Sequence, residues 1–214
     1  MGMEYSRAAS GRSILNGMVK RSHQDGRPPV PSRSAADWEA AALAAIAGAG
    51  LRGVRIPDLA RSLGVTKGSF YWHFRGIDVL VAAAMRRWEE MDRASLDELR
   101  AIADPRERLG ALFRQSMEKQ QAHALYVSLA ASPVPVVADS IRRIADRRLR
   151  FLDAAYRDLG LSRRDARQRA LLAYTAYVGA LHLRQQGSPG LAAPKDLTAY
   201  VEHAVATLIP THSG

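Results

Sequence analysis

The chain has 214 residues, 47% of them apolar and 24% charged, an ordinary globular composition with enough apolar material for a sizeable core. It holds no cysteine, which excludes disulfides, thiol nucleophiles and cysteine-bound zinc. A formal net charge of +10 predicts attraction to a polyanion, nucleic acid more often than an anionic membrane surface, or else an arginine-rich, solvated exterior. The longest uncharged, largely apolar runs are 12 residues, too short to span a bilayer. No apolar signal segment is visible at the N-terminus, so a cytoplasmic protein without membrane contact is expected.

Residues 1–33 are punctuated by Gly2, Gly11, Gly17, Gly26, Pro28, Pro29 and Pro31 and carry no sustained apolar period. Six basic residues (Arg7, Arg12, Lys20, Arg21, Arg27 and Arg33) face only Glu4 and Asp25, a local +4. This reads as a disordered basic arm, which either adds non-specific phosphate contacts or is inert. From Ser34 onward the pattern is helical and no strand is predicted, so the fold class is all-α. Ser34 and Asp37 have capping-box spacing, and Gly50 stops a first helix over residues 35–49, with Ala42, Leu43, Ile46 and Ala47 as its apolar stripe. Pro57 opens a second helix over residues 56–63, ended by Gly64. Thr66 caps a third over residues 66–74, and Asp78 begins a fourth reaching about residue 91. Six further helices are predicted over residues 92–103, 105–121, 123–131, 136–159, 163–186 and 197–209.

Two eight-residue helices around the Gly64–Val65 turn have helix-turn-helix dimensions. The sequence after that turn, "TKGSFYWHF", places four of the chain's 14 Phe, Trp and Tyr residues within five positions. Phe70 and Phe74 are four apart and share a face, so they join Leu59, Leu63 and Val65 in a small core beneath helix 1. The remaining side chains then point outward. Thr66 and Lys67 stand at a helix N-terminus, where backbone N–H groups and the dipole favour a phosphate. Tyr71 and His73 add donors, Gly68 and Ser69 allow close approach to base edges, and Arg55 adds charge nearby. Trp72 either joins this face or packs on helix 1.

These residues resemble the DNA-binding domain of the TetR (tetracycline-repressor) family of bacterial regulators over about residues 35–88. The resemblance is carried by the alanine stretch of Ala41–Gly50, by Leu59-Ala60, by Gly64-Val65 and by Tyr71-x-His73-Phe74. It implies that Thr66, Lys67, Gly68, Ser69, Tyr71 and His73 face DNA while Phe70 and Phe74 are structural. Val54 stands where the family often has Thr or Ser, and Ile77 where a Lys commonly opens helix 4. Each removes a phosphate contact, for which Arg52, Arg55 and Arg75 would compensate.

The resemblance further implies three regions: the arm at 1–33, a helix-turn-helix domain at 34–80, and a helical ligand-binding and dimerisation domain at 81–214. It also implies a homodimeric repressor on a pseudo-palindromic operator in double-stranded DNA, released by a small-molecule effector. Independently, Leu172, Ala173, Ala176, Gly179, Ala180 and Leu183 form a small-residue apolar stripe suited to close helix packing across a dimer. Leu197, Val201, Val205 and Leu208 form a second stripe, on the last helix. Trp88, Phe113, Tyr126, Phe151, Tyr156, Tyr174 and Tyr177 are the aromatics available to line a pocket, or to serve as ordinary core. The arginine run at 142–150 reads as a solvated helix face.

His123, His182 and His203 have no paired-ligand spacing, so neither metal nor cofactor is expected. No nucleophile triad or phosphate-cradling loop is readable, which argues against an enzyme. A competing expectation is a helical ligand- or partner-binding protein with only weak, non-specific DNA binding.

Overall fold

A computed structural model of the chain describes residues 33–118, 120–130, 132–191 and 193–210. The basic arm expected over residues 1–33 lies outside the described residues apart from Arg33. The elements are α1 (Ala35–Ala49), a 3-10 turn (Leu51–Gly53), α2 (Ile56–Leu63), α3 (Lys67–Phe70) and α4 (Ile77–Arg100). They continue with α5 (Pro105–Glu118), α6 (Gln120–Leu129), α7 (Pro135–Asp158), α8 (Arg163–Gln185) and α9 (Pro194–Leu208). The protein is all-helical.

The punctuation residues act as their chemistry requires. Ser34 and Asp37 form a reciprocal capping box, and the Ser34 backbone N–H holds the Asp37 carboxyl below its ordinary value. Gly64 closes α2 at φ 69°, a left-handed conformation that favours glycine. Gly53 has a different reason for being glycine. A Cβ there would lie 2.8 Å from the Ala45 carbonyl oxygen and 2.9 Å from the Ala49 Cβ, so the 3-10 turn seats against α1 only without one.

Three expectations change. The helices predicted separately over residues 78–91 and 92–103 are one 24-residue helix, α4. Asp92 does not cap a new helix; it is buried and bonded to arginines of α7. The third helix ends at Phe70 rather than residue 74, because the Phe70 carbonyl accepts from both His73 N–H and Phe74 N–H at 3.0 Å and the chain tightens into a turn. The last helix starts at Pro194, whose missing N–H costs nothing in a first turn, three residues before the predicted start.

Helix α1 packs against α2, α4 and α6, while α4 leaves the reading segment and runs alongside α7. α8 lies along α7, and α9 packs on α5. One continuous core joins Trp38, Ile46, Phe70, Leu80 and Met85 to Leu109, Leu129, Ile144, Tyr156 and Leu181. A smaller cluster of Leu96, Leu99 and Phe151 closes the far end of α4.

Candidate nucleic-acid interface and interior cavity

The reading segment is held from beneath by aromatic packing. Phe70 is fully buried, with Trp38 of α1 edge-on at 5.3 Å between ring centroids and Phe74 stacked at 5.7 Å. Trp38 was missed in the sequence reading, although its spacing of four with Ala42 and of eight with Ile46 puts it on the stripe already drawn for helix 1. The opposite face is open. Trp72 is 87% exposed and Tyr71 63%, which overturns the reading of Trp72 as packed on helix 1. Arg55, Thr66, Lys67, Gly68 and His73 are exposed as well, and Ser69 is half-buried.

Thr66 is the N-cap of α3, but its side chain makes no capping hydrogen bond. Its carbonyl accepts from the Ser69 hydroxyl at 2.8 Å, which orients Ser69 toward the helix start. Two charge relations were not anticipated. Asp58 lies 3.0 Å from Arg61 and 3.5 Å from Arg55, so part of the local positive charge is already paired. Arg33 donates from Nε to the Leu63 carbonyl at 3.0 Å, satisfying an end of α2. Val54 is buried, and Ile77 begins α4 half-exposed behind an N-cap glycine that offers no side chain.

A second site lies inside the larger helical layer. A cavity of about 30 Å³ is lined by Leu112, Phe113 and Ser116 of α5, Arg148 and Leu152 of α7, and Ala173, Tyr174 and Tyr177 of α8. Three of the expected pocket aromatics, Phe113, Tyr174 and Tyr177, stand on its wall. Tyr126 reaches the wall through its hydroxyl, 2.9 Å from that of Tyr174. Burial first, and this hydrogen bond second, push the Tyr174 hydroxyl well above its ordinary pKa, keeping it neutral. Trp88, Phe151 and Tyr156 are core instead. Phe151 packs with Leu96 and Leu99 under the Arg100 guanidinium, 5.6 Å from its ring centre.

The arginine run of α7 is not a solvated face. Arg143 grips Glu89 with two hydrogen bonds, from Nε at 2.9 Å and Nη2 at 2.7 Å. Arg147 donates to Asp92 at 2.8 Å, and Arg148 donates from Nε to the other Asp92 oxygen at 2.8 Å and from Nη1 to the Tyr177 hydroxyl at 3.1 Å. Only Arg142 and Arg150 face outward. Burial opposes the charge on Arg148, but Tyr177 and Asp92 outweigh it, and its pKa is raised. Burial likewise opposes the Glu89 charge, yet Arg143 and Ser140 hold that carboxyl below its ordinary value. The network ties α4 to α7 and ends in the cavity wall.

The expected dimer stripe divides. At 100° per residue Leu172, Ala176, Gly179 and Leu183 share one line of α8, and Ala173 and Ala180 are turned away by about 80–100°. Leu172 is 56% exposed and Leu183 46%, Gly179 is exposed and Ala176 half-buried, whereas Ala173 and Ala180 are buried within the protomer. Val201 of α9 is buried too, and Val205 is half-buried. Leu171, 49% exposed, adds to the open face and was not foreseen.

No group of three or more His, Asp or Glu residues able to hold a metal occurs among the described residues. No described helix is long and apolar enough to cross a membrane.

Comparison with known proteins adds to this geometry. Residues 40–84 match the family model described as bacterial regulatory proteins, tetR family. A solved transcriptional regulator from Rhodococcus sp. Rha1 is 27% identical, with 83% of this chain and 94% of that one covered at a TM-score of 0.67. A TetR transcriptional regulator from Legionella pneumophila has the same fold at 15% identity, covering 84% of this chain and 98% of its own, with a TM-score of 0.71. A transcriptional regulator from Saccharomonospora viridis, solved in complex with choline, is 22% identical, with 81% and 92% covered and a TM-score of 0.67. A search of curated protein sequences found no match.

Proposed function

Residues 40–84 place this chain in the TetR family of bacterial regulatory proteins, and we propose that it acts there as a dimeric repressor freed from its operator by a small molecule. The observation that carries the reading is the two-faced segment after Gly64. Phe70 and Phe74 are locked to Trp38, leaving Thr66, Lys67, Tyr71, Trp72 and His73 exposed on one side, where a duplex would meet them.

In this reading α3 of each protomer enters a major groove. Lys67 and the Thr66 hydroxyl take phosphate oxygens, as does Arg55 from the start of α2, and Gly68, Ser69, Tyr71, Trp72 and His73 approach the base edges and sugars. The open line of α8, Leu171, Leu172, Gly179 and Leu183, pairs with its counterpart about a two-fold axis, with Val205 of α9 beside it. Two-fold symmetry in the protein calls for a pseudo-palindrome in the operator. The effector takes the cavity between α5, α7 and α8, and choline in the Saccharomonospora viridis regulator supports a small-molecule role for such a fold. It moves the equilibrium only through unequal affinity for the two states of the protein. A cytoplasmic location accords with contact with the chromosome.

Selection of bound sequences from a random duplex pool, by the purified protein at near-physiological salt, tests the reading. An enriched inverted repeat supports a dimeric reader. Salt-labile binding without enrichment refutes it and favours a helical ligand-binding protein with non-specific DNA affinity.

A further inference from the structure

The cavity carries one sign of charge. Arg148 is the one charged residue among its described lining, and the rest of the wall is mainly apolar or aromatic, with Leu112, Phe113, Leu152, Tyr174 and Tyr177 closest in kind. Behind Arg148 the network sets three guanidiniums (Arg143, Arg147 and Arg148) against two carboxylates (Glu89 and Asp92), which leaves one positive charge in excess. Arg148 is the member of this network that faces the cavity and also holds α4 through Asp92. A carboxylate arriving from the cavity would restore the charge balance, and it would meet the same guanidinium that Asp92 holds.

We propose that the effector is a compact carboxylic acid with an apolar or aromatic body. Its carboxylate engages Arg148, competes with Asp92, and so loosens the hold of α7 on α4. The proposal rests on the regulator reading and deepens it by naming the ligand class and the tie that the ligand breaks. No bond is made or broken covalently. A guanidinium exchanges one carboxylate partner for another, while the body of the ligand displaces water from the apolar wall.

The test uses the full-length protein and a panel of straight-chain and aromatic carboxylates of two to ten carbons, each beside its primary amide. Binding is read by thermal shift without DNA, and separately by release of the selected duplex. At least one carboxylate is expected to bind 10-fold or more tightly than its amide. Arg148→Met should abolish that preference. Arg148→Lys, which keeps the charge but loses the planar fork, should retain the preference at 10-fold or more weaker affinity. Asp92→Asn removes the competitor and should tighten carboxylate binding several-fold. Amides binding as well as acids, a full preference surviving in Arg148→Met, or a panel without any binder would each overturn the proposal. Carboxylate-selective binding by a protein that selects no duplex would sink the regulator reading while leaving the ligand class standing. A selected duplex with no carboxylate effect would do the reverse.

Discussion

Two substitutions only two positions apart test whether the reading segment has the two faces assigned to it. Phe70 is fully buried, with aromatic neighbours at 5.2–5.7 Å between ring centroids, from Tyr71 to Phe74. Phe70→Ala removes a whole ring from that contact, at a cost of about 3–5 kcal/mol from lost burial and the cavity left behind. Trp72 is 87% exposed, so only about an eighth of an indole surface of up to ~250 Å² is covered. At about 25 cal/mol per Å², Trp72→Ala forfeits less than about 1 kcal/mol. A domain of this kind has a total stability on the order of 5–15 kcal/mol, so the first change is severe and the second slight. Urea unfolding followed by far-UV circular dichroism reads both as midpoint shifts at unchanged slope. In DNA binding the order reverses at temperatures where both variants are folded: Trp72→Ala weakens operator binding by ~1 kcal/mol or more, since a protruding Trp at an interface is typically a hot spot. The two-face argument is refuted if Trp72→Ala unfolds as early as Phe70→Ala, or if Phe70→Ala costs under about 1 kcal/mol.

Four further outcomes are expected. Lys67→Ala should lower operator affinity and reduce the slope of log affinity against log salt by about 1, as one lost phosphate contact requires. Leu172→Glu combined with Leu183→Glu should turn a dimer into a folded monomer in sedimentation experiments, with little change in melting temperature, because both side chains are already exposed in the protomer. Asp92→Ala leaves Arg147 and Arg148 without their shared carboxylate and should cost about 3–5 kcal/mol, against less than ~0.5 for Arg142→Ala on the exposed side of α7; equal costs would refute the buried network. Burial pushes the Tyr156 hydroxyl from 10.0 up to about 12, and it has no hydrogen-bond partner among the described residues. A raised folded pKa on an acid means stability that is full below pH 10 and lost as pH rises toward 12. About 3 kcal/mol should go over that interval, and Tyr156→Phe should flatten the decline in urea titrations taken at successive pH values.

The legible parts of the fold are those with local punctuation. Ser34, Asp37 and Gly50 bracket α1, and Pro57 and Gly64 bracket α2, because capping and left-handed turns are decided within a few residues. α4 was not legible as one helix, since a charged stretch around Asp92 looks the same whether it is solvated or buried. Its partners Arg147 and Arg148 lie 55 and 56 residues away, and only the packing of α7 on α4 brings them to it. The same distance effect turned a supposed solvated arginine face into an ionic seam. In the reading segment the four-residue period of Phe70 and Phe74 located the inward side, yet nothing local distinguished Trp72 from Trp38, one almost fully exposed and the other fully buried. On α8 the sequence pattern did not separate Ala173 and Ala180 from the Leu172 line, because alanine suits a protomer core and a subunit seam equally well.

The continuity of α4 has a mechanical consequence. Its rise of 1.5 Å per residue makes it a rod about 36 Å long, with Asp92 about 22 Å from Ile77. If the rod pivots where Asp92 meets α7, a tilt of about 5° carries the Ile77 end through roughly 2 Å, on the scale of a hydrogen bond's whole tolerance. Leverage of this kind converts a sub-ångström adjustment at a guanidinium into a displacement large enough to spoil the fit of a side chain against a base edge. Stiffness along residues 77–92 is therefore as consequential as the identity of any one of them.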